Sequence, residues 1–218
     1  MATVTLVSDA FNRADANTLG VADTGQTWAK TADRVYSISA NEAAGGSAGA
    51  GYAYIDCGYA DVTVQAKCKV VNADGVRTSI VFRAADANNW WLALLYDGGT
   101  SYAVYTAYYE GGVLKESKNK AVTVSVGTYG TLKAVCSGAS VKVYWDDTLC
   151  TEHDSAALQT ATKVGIYLDN GNLRLDDFLV TREAADPAGG GRPQNRRPKR
   201  LMVYQVGRNW YEEVRRSN

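Results

Sequence analysis

The sequence predicts an all-β fold, two antiparallel sheets packed face to face as a sandwich, followed by a basic C-terminal extension. Three observations carry the prediction. Apolar and polar residues alternate with a period of two along most of the first 183 residues, clusters of turn-forming residues interrupt the alternation at short intervals, and no segment carries the apolar stripe of an amphipathic helix. With 218 residues, 46% of them hydrophobic, the chain can bury the core of one large domain plus an appendage.

The elements follow in chain order. After a strand at 51–57, DVTVQAKCKV (61–70) sets Val62, Val64, Ala66, Cys68 and Val70 on one face and Thr63, Gln65, Lys67 and Lys69 on the other, the pattern of a half-buried antiparallel strand. Strands are predicted next at 77–83, 90–97, 101–109, 121–126 and 130–136. At 140–147, Val141, Val143 and Trp145 face in while Lys142 and Tyr144 face out, and strands at 163–168 and 173–181 complete the series. YDGG, YEGG, CSGA and LDNGN mark turns between them, and the glycine-rich NEAAGGSAGAG (41–51) reads as a connecting loop. In LRLDDFLV (173–180) the apolar parity reverses between Leu175 and Phe178, which a bulge at Asp176 and Asp177 repairs.

After Arg182 the pattern stops. AADPAGGGRPQNRRPKR (184–200) holds every proline of the chain and reads as a linker, and LMVYQVGRNWYEEV (201–214) regains apolar character but is too short to form a core alone. Residues 184–218 carry eight basic against three acidic side chains, a net +5, so the neutral whole hides an acidic sandwich and a basic tail. The predicted division is a sandwich over 1–183, a linker over 184–200 and a docking segment over 201–218. No apolar run approaches the roughly 18 residues needed to span a bilayer, and MATVTLVSDAF lacks the basic start of an export signal. Cys57, Cys68, Cys136 and Cys150 form no C-x-x-C pair. Cys68 and Cys136 lie in phase with buried aliphatics, so small buried thiols are expected rather than disulfides.

VSDAFNRADANTLGVADTGQTW (7–28), FRAADANNWWLALL (82–95), LKAVCSGASVKVYWDD (132–147), VGIYLDNGN (164–172) and LRLDDFLV (173–180) resemble, in order and spacing, a concanavalin A-like, laminin-G-like jelly-roll domain. The opening DxFNRADxxxLGxADTGQxW resembles in particular the version found in bacteriophage virion proteins, tail or head accessory proteins included. The resemblance covers residues 5–182. It implies a non-enzymatic accessory protein, a tail protein or capsid decoration made in the host cytoplasm and located in the virion, with a glycan-binding role at the host surface. The architecture serves lectins, glycosidases and structural domains alike, so two rivals stay open: a purely structural cement protein without sugar binding, and a bacterial carbohydrate-binding module or glycoside hydrolase.

The residues argue against catalysis. Glycoside hydrolysis needs two carboxylates about 5 to 9.5 Å apart, and neither the adjacent Asp176 and Asp177 nor an E-x-D-x-E run supplies them. Glu152 and Asp154 flank His153, the only histidine, in a polar stretch without strand pattern, and no G-x-S-x-G elbow accompanies them. Asp9, Asp15 and Asp23 are expected to make local turns, with Phe11 and Trp28 anchoring the segment in the core, rather than to bind a metal. No cofactor is predicted. Calcium is the one cation the loops could hold, through Asp86, Asn88 and Asp169.

The aromatic concentration is the best functional lead. Trp90, Leu92, Leu94 and Tyr96 oppose Trp91, Ala93 and Leu95 on one strand; the next sets Tyr102, Val104 and Tyr108 against Tyr105 and Tyr109. One face must enter the core and the other marks contact with a ligand or protein. Arg83, Asp86, Asn89, Trp91, Tyr102 and Tyr108 are the predicted glycan site, rings stacking on sugar C–H faces and polar groups fixing hydroxyls. The competing reading has Arg83 pair with Asp86 to brace the turn, with the tyrosines as ordinary strand formers. In the tail, Leu201, Val203, Tyr204, Trp210 and Tyr211 are predicted to dock on a virion structural protein or a neighbouring subunit of a homo-oligomer. Nucleic acid ranks below these partners, because the apolar residues between the basic ones need a surface that phosphates do not offer.

Overall fold

A computed structural model describes residues 2–32, 34–45, 51–71, 77–98, 101–168 and 173–184, together with the backbone of 202–206 and 209–213. The unit Thr3–Glu183 is all-β. Its strands are β1 (Thr3–Asp9), β2 (Ala29–Lys30), β3 (Tyr36–Ser39), β4 (Glu42–Gly45), β5 (Ala53–Asp56), β6 (Thr63–Val70), β7 (Arg77–Asp86) and β8 (Asn89–Asp97), then β9 (Tyr102–Glu110), β10 (Val113–Val122), β11 (Tyr129–Ser137), β12 (Ser140–Trp145), β13 (Thr148–Asp154), β14 (Lys163–Leu168) and β15 (Leu173–Glu183). No helix occurs among the described residues, and none is therefore long and apolar enough to cross a membrane.

Two antiparallel sheets form the sandwich. One has the order β13-β12-β11-β6-β15-β4-β3, with β1 also paired to β15; the other is β10-β9-β8-β7-β14-β5-β2. The N-terminal strand meets the last strand of the sandwich as expected, from Thr3↔Glu183 to Asp9↔Phe178. Inward alternation builds the core: Val64, Ala66, Cys68 and Val70 of β6 and Leu132, Ala134 and Cys136 of β11 pack across from Ile80 and Phe82 of β7 and Val164, Ile166 and Leu168 of β14. Each such large apolar side chain contributes about 1.5–3 kcal/mol on burial. The bulge in β15 lies where the parity reversal puts it. The register against β6 slips between Asp176 and Leu179, and Asp177 has φ 47°, so Leu175 and Phe178 both point inward. All four cysteines are free, Cys68 and Cys136 within the core.

Five elements differ from the sequence prediction. β10 covers 113–122 rather than 121–126, β13 occupies the stretch read as patternless, β4 occupies part of the glycine-rich loop, and β2 and β3 lie where no strand was predicted. β10 and β13 are the two edges on one side of the sandwich; β10 is wet on both faces, and β13 buries only the polar Thr151 and His153, so neither shows an apolar alternation. These edges are closed by lysines. Lys118 Nζ and Lys120 Nζ of β10 donate to the Glu152 and Leu149 carbonyls of β13, both at 2.8 Å, covering carbonyls that an edge otherwise leaves open.

A second unit comprises Met1–Ala2 and Ala184–Asn218. It contains a hairpin of β16 (Met202–Val206) and β17 (Asn209–Glu213), with Tyr204 opposite Tyr211 and Gln205 opposite Trp210. Of the docking residues, Val203, Tyr204, Trp210 and Tyr211 are placed as backbone positions of this hairpin. Leu201 and the linker residues 185–200 lie outside the described residues.

Candidate functional site

The hairpin of β7 and β8 decides which aromatic face meets solvent. Its turn is held by Asp86, whose carboxylate accepts hydrogen bonds from the Asn88 amide at 2.8 Å and Asn89 Nδ2 at 2.8 Å, contacts that lower its pKa, the Asn88 amide foremost. Asp86 and Asn89 thus make the turn, as predicted. Below the turn the register slips between Phe82 and Asp86, and Arg83 takes the positive φ of 44°. This bulge overturns simple alternation. Phe82 and Arg83 both turn inward, while Val81 and Ala84 join a small outer cluster with Tyr52.

Arg83 is a staple rather than a ligand. It is 1% exposed, its Nη2 donates to Asp61 Oδ1 at 2.9 Å and to the Gly138 carbonyl at 2.6 Å, and it makes no bond to Asp86. Trp91 is 0% exposed, stacks on Tyr108 at 4.5 Å and on Phe82 at 6.2 Å, and donates from Nε1 to the Ala157 carbonyl at 3.0 Å. Tyr102 and Tyr108 pack against the same core. The six predicted site residues are therefore not assembled on one surface: Trp91, Tyr102 and Tyr108 share a face, but it is the inner one. Asn88 sits at the turn beside Gly112, and Asp169 lies outside the described residues. Among the described residues no group of three or more His, Cys, Asp or Glu side chains is arranged to hold a metal ion.

The opposite parity forms the accessible site. Trp90 stacks on Tyr109 at 5.2 Å and 14° and on Tyr52 at 5.0 Å, and reaches Tyr167 at 6.3 Å. Burial pushes the Tyr52 phenol up, and its hydroxyl donates to the Asp86 carbonyl at 2.8 Å, tying this cluster to the hairpin turn. Farther along β8, Tyr96 meets Tyr105 edge-on at 5.9 Å. Beside these rings Leu92 and Leu94 of β8 and Ala107 of β9 line a groove of about 340 Å³ with Tyr96, Tyr105 and Tyr109, and Arg77, Leu114 and Ser117 complete the lining; Trp90 backs it through Tyr109. The step from Leu92 to Tyr96 along β8 gives it a length of roughly 13 Å. Tyr52, Tyr54 and Tyr167 of this face lie on β14 and on or beside β5, far from the aromatic run in sequence, and only the strand order brings them in.

Two other polar constellations are structural. Asp9, 0% exposed, accepts from the Phe11 amide, from both terminal nitrogens of Arg13 and from Trp28 Nε1 at 2.7 Å, while Asp15 and Asp23 accept from the Ala40 and Ala10 amides, each at 2.8 Å. The opening motif is thus a carboxylate-centred lock, with Phe11 and Trp28 in the core. His153, expected in an unstructured polar stretch, lies on β13 instead, 1% exposed, with Nδ1 3.0 Å from Glu116 Oε1 of β10 and its ring edge-on to Trp91.

No family model matches the chain, and no curated protein does. Solved structures are similar. A carbohydrate-binding module of Bacillus subtilis, CBM66, superposes with TM-score 0.58 at 18% identity over 72% of this chain and 95% of the module. A Bacillus licheniformis β-glucanase gives 0.52 at 16% identity over 81% of this chain and 97% of the enzyme. The fold is a concanavalin A-like jelly roll. At these identities the likeness concerns the fold alone.

Proposed function

We propose that this jelly roll is a non-catalytic carbohydrate-binding domain of a virion accessory protein, and that it holds a glycan in the groove on the outer face of the seven-stranded sheet. The groove carries the reading. Tyr96, Tyr105 and Tyr109 line it, the last backed by Trp90, Leu92 and Leu94 supply apolar surface, and phenol and Ser117 hydroxyls lie at hand, which matches the alternating C–H and hydroxyl character of a sugar chain. Among the described residues no carboxylate lines it, which favours binding over glycoside hydrolysis. Stacking requires no cofactor.

The virion context is supported by the opening motif, residues 7–28, and attachment is assigned to the 201–214 segment, which docks on a virion protein or a neighbouring subunit. The likeness to the Bacillus subtilis module favours a second reading, the same binding chemistry in a bacterial binding module. The test of binding is common to both. The full chain is screened against immobilised bacterial-surface and other polysaccharides, and affinities are then measured for wild type, Trp90→Ala and Tyr109→Ala. Each substitution is expected to cost about 1–3 kcal/mol of binding with circular dichroism unchanged. No glycan bound by the wild type leaves the purely structural decoration role in its place, and full affinity in both variants moves the glycan site off this face.

A further inference from the structure

The groove has a charged end that its aromatic content does not explain. Arg77 opens β7, lies opposite Tyr96 in the strand register, and holds its guanidinium over the Tyr96 ring at 5.7 Å to the centroid. It is exposed, and among the described residues it makes no hydrogen bond or ion pair. Two other cations at this sheet are occupied: Lys163 Nζ donates to the Ala85 carbonyl at 2.7 Å above Tyr54, and Arg34 donates to the Leu168 carbonyl at 2.5 Å above Tyr167. Among the described residues Arg77 is the one cation that lines the groove.

A guanidinium held over a ring without a hydrogen bond keeps its N–H groups available, a planar fork suited to the two oxygens of a carboxylate. Among the described residues the groove lining supplies no such carboxylate. The nearby acids of this face are engaged at the hairpin end, Asp86 by Asn88 and Asn89, and Asp56 by the Gly58 amide and the Thr162 hydroxyl. A cation with no ion pair among the described residues, beside a groove whose described lining carries no acid, is the complement of a ligand that is apolar on its ring faces and anionic at intervals.

Resting on the glycan reading above, we propose that the ligand is an acidic polysaccharide whose uronate carboxylate is held by Arg77 while neighbouring sugar rings stack on the tyrosines that line the groove. One guanidinium suits one singly charged carboxylate better than a phosphate monoester, which carries about −1.5 to −2 and calls for several cations.

The experiment uses the full chain and three probes: oligogalacturonate, the same oligomer methyl-esterified so that shape is kept and charge removed, and dextran sulfate. Tighter binding of the acid than of its ester, by tenfold or more, is expected, with Arg77→Gln bringing the acid down to the ester's level and Trp90→Ala weakening both. Equal binding of acid and ester, an acid preference that survives Arg77→Gln, or stronger binding of dextran sulfate than of the uronate overturns the proposal. If the ester and neutral glycans bind and lose affinity in Trp90→Ala, the acidic ligand is wrong and the glycan groove stands. If no glycan of either kind binds, the groove reading itself falls.

Discussion

The two faces of the β8–β9 pair carry almost the same chemistry and meet opposite fates. On the inner face Trp91 stacks on Tyr108 at 4.5 Å; on the outer face Trp90 stacks on Tyr109 at 5.2 Å, one residue away in each strand. What separates them is what lies across. Trp91 has a second sheet against it, with His153 of β13 at its edge and the Ala157 carbonyl for its indole N–H, whereas Trp90 has only neighbours within its own sheet and the Tyr52 ring beside β5. An aromatic pair becomes core or platform through the layer it faces, not through its own residues.

The largest effect should come from breaking the inner pair. Trp91→Ala removes a fully buried indole, its bond to Ala157 and its contacts with Tyr108 and Phe82, a loss of about 3–5 kcal/mol, read as a lower denaturant midpoint. Trp90→Ala removes a half-buried ring and should cost about 1–2 kcal/mol in the same assay. Equal destabilisation by the two would erase the distinction and make both faces core.

A smaller effect is expected at Arg83, which sets which face is which. Arg83→Met keeps the stem but loses the bonds to Gly138 and Asp61. Because Asp61 is half-exposed and recovers water, the loss should be about 1–3 kcal/mol rather than that of an uncompensated buried charge. Wild-type stability in that variant would mean that the bulge, rather than the guanidinium, holds the hairpin in place.

The contrast also explains what the sequence could disclose. Strands facing one wet and one dry side announced themselves: β6, β11 and β12 follow the Val-Lys alternation of their sequences closely. The Asp176 bulge was legible because the apolar parity visibly reverses. β10 and β13 were not legible, since β10 faces solvent and the residues that β13 buries, Thr151 and His153, are polar. The site was read one residue out of phase. WWLALL is apolar on both faces, so parity alone cannot say which goes inside, and the bulge that turns Phe82 and Arg83 both inward, at the positive φ of Arg83, leaves no mark in the sequence. The tyrosines at 52, 54 and 167 join the platform only through strand order, which a single sequence does not state.

The smallest effect, and the most specific to the inner face, is its response to pH. His153, the one histidine of the chain, lies edge-on to Trp91. Glu116 and Lys118 of β10 are its charged neighbours, while β8, β9 and β12 offer Trp91, Thr106 and Val141, which carry no charge. Burial lowers its pKa below the ordinary 6.5; Lys118 adds to the depression and Glu116 opposes it. A histidine lowered in the folded state binds fewer protons folded than unfolded. Its contribution is therefore complete above pH 6.5 and is lost as the pH falls through the lower folded value. Melting the wild type and His153→Gln from pH 8 downward should give a midpoint that declines below about 6.5 in the wild type and is flatter in the variant. The outer face, with no histidine, predicts that Trp90→Ala leaves the shape of this profile unchanged. A wild-type midpoint that stays level from pH 6.5 to 5, or a variant with the same slope, would show that Glu116 offsets the cost of burial and that the imidazole is charged beside Trp91.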